Sequence, residues 1–137
     1  MSEDSTTPDL AELFRGGLDA ANRRDLDAVL ALFAPGATWE VMLLDRKLAD
    51  ATAIRGFLED WIDTFKDWGV VVEEVLTVGD AVTLGVIRQT GQARGGSGIV
   101  GATVAIVALW LDGQILRAIN FTDIGDARTA AEHLAGA

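Results

Sequence analysis

At 137 residues and half apolar, the chain has room for one domain with one good core and not for two. It carries no cysteine and a single histidine, His133, which excludes disulfides, thiolate nucleophiles, and sulfur-ligated or multi-histidine metal sites. Twenty-one acidic against eleven basic residues give a formal charge of −10, which repels nucleic acid and anionic lipid and mainly favours solubility.

Residues 1–8 read as a disordered leader and 9–137 as the single domain. No apolar run reaches the roughly 18 residues of a membrane span. The opening MSEDSTTPD is acidic and polar, so no signal peptide is expected and the expected location is the cytoplasm. Pro8 fits a first helical turn, and Leu10, Leu13, Phe14, Gly17, Leu18 and Ala21 recur at helical spacing. Asp25 can cap a shorter second helix with Leu26, Val29, Leu30 and Phe33 on its buried face and Pro35-Gly36 as its stop. Thr38–Leu44 is the first expected strand. A third helix carries Ile54, Phe57, Leu58, Trp61, Ile62 and Phe65 on one side and Arg55, Glu59, Asp60, Asp63 and Lys66 toward water, a wide aromatic stripe suited to lie across a sheet.

The remainder reads as strand. Val70–Val78 and Ala81–Gln92 flank a tight turn at Gly79-Asp80, and Ala93–Gly98 reads as a flexible hairpin tip. Ile99–Leu111 pairs with the run after Asp112-Gly113, the strongest short-range hairpin signal in the chain. A short helix from Asp126 onward closes it. The pattern is α+β: a strongly curved mixed or antiparallel sheet wrapped by three N-terminal helices into a cone, with a short C-terminal helix. The conical space is the default place for a small ligand. Gly96–Gly101 matches GxGxxG, but a strand follows it, so it is not read as a phosphate loop. The Asn120-Phe121-Thr122 sequon is read as accidental.

The order of elements, with NRRDLDAVLALFAPGATWEV early, AIRGFLEDW in the third helix, then VEEVLTVGDAV, IRQTGQARGGSG, and LDGQI followed by FTD, resembles the nuclear transport factor 2-like superfamily. It looks most like the SnoaL-like branch. That resemblance implies a cystatin-like α+β barrel with a pocket, over about Leu10 to Leu134. In relatives the strand after the Asp-Gly turn points alternate residues inward, which implies Ala118, Asn120 and Thr122 in the pocket, with Ile119 and Phe121 outside. Val104, Ile106 and Ala108 are expected from the preceding strand, and Val86, Arg88, Thr90 and Gln92 from the middle one. The first strand is expected to add Trp39, Val41 and Leu43, and the helices Phe14, Gly17, Leu18, Phe57 and Trp61, with Trp68 beside them. Trp39, Trp61, Trp68 and Trp110 are first of all core or interface aromatics.

SnoaL-like cyclases and limonene-type epoxide hydrolases place a proton-moving aspartate on the last strand. The resemblance puts Asn120 there, and an amide is no general base near neutral pH. The three positions that carry the chemistry of ketosteroid isomerase correspond to Val41, Gly17 and Ala105, so none carries over. Arg88 reads either as half of an intramolecular ion pair or as the group that polarises a substrate carbonyl. Glu40 has outward parity and becomes a base only if a bulge flips its strand. Asp123 is expected to cap the last helix and His133 to face solvent.

The functional expectation is a cofactor-independent, metal-free enzyme of the cyclase or isomerase type acting on an apolar, carbonyl-bearing small molecule. Asn120 and Arg88 would stabilise an oxyanion, and a substrate group, water or Glu40 would handle the proton. The alternatives are a non-catalytic binder of hydrophobic ligands and a dimerisation module with a filled cone. A homodimer through the outer sheet face is expected, with Ile119, Phe121 and Trp110 near it; neither nucleic acid nor membrane is an expected partner.

Overall fold

The computed structural model describes residues 9–93 and 99–136, apart from the side chains of residues 43, 93, 99 and 100. Helix α1 (Leu10–Asn22) begins two residues after Pro8, because Asp9 caps it: its carboxylate accepts from the backbone N–H groups of Ala11 and Glu12. Asp25 caps α2 (Leu26–Leu30) through the Ala28 N–H. That helix is shorter than expected, and Phe33 belongs to strand β1 (Phe33–Val41) instead. Pro35-Gly36 is therefore not a helix stop. It sits where the register of β1 against its neighbour shifts between Phe33 and Thr38, with Gly36 at φ 79°. A residue without an N–H and one that tolerates positive φ are both at home in such an irregularity.

The chain then makes one tight helical turn at Met42–Leu44, with Asp45 in the left-handed region at φ 51°, and returns as β2 (Arg46–Leu48), antiparallel to β1. The expected strand Thr38–Leu44 therefore ends at Val41, and β2 has no counterpart in the sequence pattern, since three residues are too few to display alternation. Asp50 caps α3 (Ala51–Thr64) by accepting from the Ala53 N–H at 2.8 Å. Phe65 opens β3 (Phe65–Val78), so the strand starts five residues before the expected Val70. Strands β4 (Val82–Ala93), β5 (Ile99–Leu111) and β6 (Gln114–Phe121) follow in meander order. At the β5–β6 turn both Asp112 (φ 52°) and Gly113 (φ 78°) have positive φ, the twist a two-residue hairpin needs.

The sheet order is β2-β1-β6-β5-β4-β3, antiparallel except for the parallel β1–β6 pair. It is a mixed sheet that does not close; β2 and β3 are its edges. Helices α1, α2 and α3 pack on one face with Trp39, Val41, Trp68, Val70, Ile87, Ile106 and Ala108. Helix α4 (Ile124–Gly136), capped by Asp123 through the Asp126 N–H at 2.9 Å, lies on the other. Its fully buried Ala127 and Ala131 let it approach Val82, Leu84, Ala105 and Val107 closely. His133 is exposed on this helix. Part of the outer sheet face, expected to be free for a partner, is thus covered by the chain's own C-terminus.

Trp110 is also not on that outer face. It is 3% exposed within the inner core, and its indole N–H donates to Thr83 Oγ1 at 2.9 Å, itself fully buried. An indole N–H has no other way to be satisfied there. Thr83→Val, which keeps the shape and removes the acceptor, should cost about 1–3 kcal/mol, while Thr83→Ser should stay nearer wild type. Urea unfolding of the two variants checks this, and equal stability of Thr83→Val and wild type would contradict it.

Candidate functional site

Between the inner sheet face and the three N-terminal helices lies a cavity of about 240 Å³. The alternation of β1, β5 and β6 turns Trp39 and Val41, Val104, Ile106 and Ala108, and Ala118 and Asn120 into it. Phe14, Gly17 and Leu18 of α1 and Phe57 and Trp61 of α3 roof it. Leu44, Ala102, Thr103 and Thr122, all exposed, border its mouth. Residues 94–98, expected as a hairpin tip near the mouth, fall outside the described residues, as does the side chain of Leu43.

The wall is aromatic along one side. Trp39 meets Phe57 edge-on at 5.4 Å, Phe57 stacks against Trp61 at 6.3 Å, and Trp61 meets Phe65 edge-on at 5.3 Å. Such pairs stabilise one another by offset and edge-to-face packing. Trp68 completes the wall from β3, and the end of α1 pins it there. Arg24 donates to the Trp68 carbonyl at 2.6 Å with its guanidinium 5.3 Å from the ring centre, and Asn22 exchanges two 2.9 Å hydrogen bonds with the Val70 backbone.

Strand β4 departs from expectation. Its inner residues are Gly85, Ile87 and Gln89, so Val86, Arg88, Thr90 and Gln92 have the opposite parity and do not line the cavity. Arg88 is half-exposed on the outer face, where it pairs with Glu73 at 3.3 Å. Alternation could not settle this, because the first half of β4 is buried on both sides: α4 covers Val82 and Leu84, and α1 covers Gly85. A strand that is apolar on both faces carries no parity signal. Glu40 keeps its outward parity; no bulge flips it, and Arg117 donates to its carboxylate at 2.7 Å on the outer face. Val41 and Gly17 border the cavity while Ala105 faces α4.

What remains inside is polar at few points. The Trp39 indole donates to Asn120 Oδ1 at 2.8 Å. Gln89, which sequence reasoning missed, accepts from two indoles at once: Trp61 at 2.9 Å and Trp68 at 3.1 Å, both on Oε1. Among the described residues, the lining contains no Asp, Glu, His, Lys, Arg or Tyr. Between Arg88 and Thr90, with a second amide at Gln92, Gln89 carries no local signal that separates it from its polar neighbours. The chemistry available is therefore hydrogen bonding by two amides and two threonines, dispersion, and contact with aromatic faces.

Comparison with known proteins agrees with this fold. Among curated proteins, none matches the sequence. In fold the chain is similar to a candidate SnoaL-like polyketide cyclase from Jannaschia sp. CCS1 (TM-score 0.75, 19% identity, 96% of this chain and 97% of that one). It is also similar to Bal32a from a soil-derived mobile gene cassette (0.75, 21%, 85% and 91%). A third similar structure is a protein with a ketosteroid isomerase-like fold from Catenulispora acidiphila DSM 44928, in complex with trimethylamine (0.72, 16%, 85% and 86%). The SnoaL-like domain family matches residues 14–118, ending just short of Asn120. The sequence match over most of the chain, with the likeness in fold beside it, makes this chain a member of the SnoaL-like domain family.

Proposed function

We propose that the chain binds an apolar, carbonyl-bearing small molecule in this cavity, without acid/base catalysis by its own side chains. The observation that carries the reading is the lining itself: aromatic and aliphatic apart from Gln89, Asn120 and two rim threonines, with no carboxylate among the described residues, and with Asn120 at the position to which the resemblance assigns the aspartate of acid/base relatives. An engineered cavity of about 150 Å³ holds benzene, so this larger one suits a bicyclic ligand. Burying its apolar surface supplies the affinity and the amides supply orientation.

A second reading, cyclase- or isomerase-type turnover, draws on the family and on the name of the Jannaschia neighbour. In that reading Asn120 polarises the carbonyl and the proton passes through a substrate group or water. Arg88 and Glu40, each ion-paired on the outer face, take no part. A homodimer accompanies both readings, using the part of the outer sheet face that α4 leaves free; light scattering at micromolar concentration tests it.

The cavity is tested with naphthalene and 1-tetralone, read by tryptophan emission, since Trp39, Trp61 and Trp68 line it. Both should perturb the emission saturably in the wild type. Ala118→Phe, which projects a ring into the cavity from a position 3% exposed, should abolish the response while the fold persists. A response unchanged in Ala118→Phe would place the ligand elsewhere and end the reading.

A further inference from the structure

The tryptophans do more than supply surface. An indole N–H can only donate, so the orientation of each amide it meets is decided: oxygen toward the indole, NH2 away from it. Gln89 Oε1 has two lone pairs and two indole donors, Trp61 and Trp68, so its accepting capacity is spent. Asn120 Oδ1 receives one indole, Trp39. Thr83 Oγ1, deeper in the same core, is taken by Trp110. The hydroxyls of Thr103 and Thr122, which could accept, sit in the exposed rim.

Resting on the reading of the cavity as a ligand site, we propose that Gln89 is its specificity-determining residue: held by Trp61 and Trp68, it offers a ligand a donor and no acceptor. The ligand class that fits is a neutral apolar molecule with a carbonyl, ester or ether oxygen at that end. An alcohol can accept from the Gln89 NH2 but leaves its own O–H unpaired in an apolar surrounding, and an ammonium leaves every N–H so. The aromatic faces would attract an alkylammonium, and the Catenulispora neighbour is seen with trimethylamine. Here the positive end of the Gln89 amide dipole opposes a cation. Gln89 and Asn120 lie on strands β4 and β6, with their partners Ala102 and Ile106 on β5, about 13 Å apart along that strand. They therefore read different parts of a ligand.

The test uses four ligands of one skeleton, titrated calorimetrically into the intact protein: tetralin, 1-tetralone, 1-tetralol and protonated 1-aminotetralin. The wild type should prefer the ketone to the alcohol by about tenfold and to the ammonium by more. Titrated at a pH where the new carboxyl is ionised and 1-aminotetralin still protonated, Gln89→Glu keeps an oxygen for both indoles and replaces the donor with an acceptor, so it should reverse the order, weakening the ketone and admitting the ammonium. Equal wild-type affinity for all four, or an ammonium that binds best, overturns the proposal while leaving the cavity a ligand site. An unaltered preference in folded Gln89→Glu overturns it too. If tetralin and the others all fail to bind, the ligand-site reading falls and this proposal with it. The wild-type series decides the matter even if Gln89→Glu does not fold.

Discussion

Asn120→Asp should turn a cavity with no acid/base group among its described lining residues into one that moves protons. The substitution is nearly isosteric, the Trp39 indole can still donate to the retained oxygen, and the new carboxylate enters an apolar lining without a cation among the described residues. Desolvation disfavours the charged form, so its pKa rises above the ordinary value of about 3.9, with the indole hydrogen bond opposing part of the rise. A positioned base of that kind contributes about 10²- to 10⁴-fold. The measurement is conversion of a bicyclic β,γ-unsaturated ketone to its conjugated isomer. The base takes the proton from the carbon between carbonyl and alkene and returns it to the far alkene carbon. Wild type should show no saturable rate, and the variant should show one that climbs with pH as the carboxyl deprotonates.

The same substitution has a stability signature whose sign follows from that raised pKa. A carboxyl whose folded-state pKa exceeds its unfolded value binds its proton more tightly in the folded protein. Its favourable contribution is complete below the unfolded pKa and is lost as pH rises through the folded one. Asn120→Asp should therefore lie closest to wild-type stability near pH 4 and fall behind it toward pH 7. A variant that matches wild type at pH 7, with no rate on the ketone, would show that the new group is solvated and that Asn120 does not face a dry site.

Gly85→Val should be the most disruptive small change in the sheet. A Cβ at Gly85 would stand 2.3 Å and 2.4 Å from Cε2 and Cζ of Phe14, far inside contact distance. Phe14 is 6% exposed, anchors α1 on β4 and lines the cavity, which is the open space beside its ring. Overpacking of this type costs about 1–3 kcal/mol, against which the loss of glycine's backbone freedom returns about 0.5–1 kcal/mol. Chemical unfolding should show net destabilisation, and 1-tetralone affinity should fall about tenfold because the displaced ring occupies ligand space. Phe14→Leu in the Gly85→Val background should recover part of both losses. Two independent, additive effects would mean that glycine and ring are not fitted to each other.

How much was legible depended on whether one face of an element differs from the other. The stripes of α1 and α3 and the caps Asp25 and Asp123 were readable because one side meets water and the other does not. The Asp112-Gly113 hairpin was readable because two positive φ values demand those residues. Asn120, Trp39 and Ile106 were placed in the cavity because the resemblance to SnoaL-like relatives supplied the inward parity of β1, β5 and β6. Strand β4 had no such anchor. Buried on both sides, it allowed Arg88 and Val86 to be turned inward when Gln89 and Gly85 are the inner residues.

By itself, the sequence determined an α+β chain with three N-terminal helices, a meander sheet, a neutral amide on the last strand and no cysteine. These follow from local periodicity, turn chemistry and composition, which each segment carries alone. Only the tertiary structure decided that α4 takes the outer face, that Arg88 and Glu40 are spent in ion pairs there, and that Trp61 and Trp68 converge on Gln89. Each of those depends on residues more than a dozen positions apart meeting across the sheet or against a packed helix. No single segment encodes that meeting; burial of the whole does.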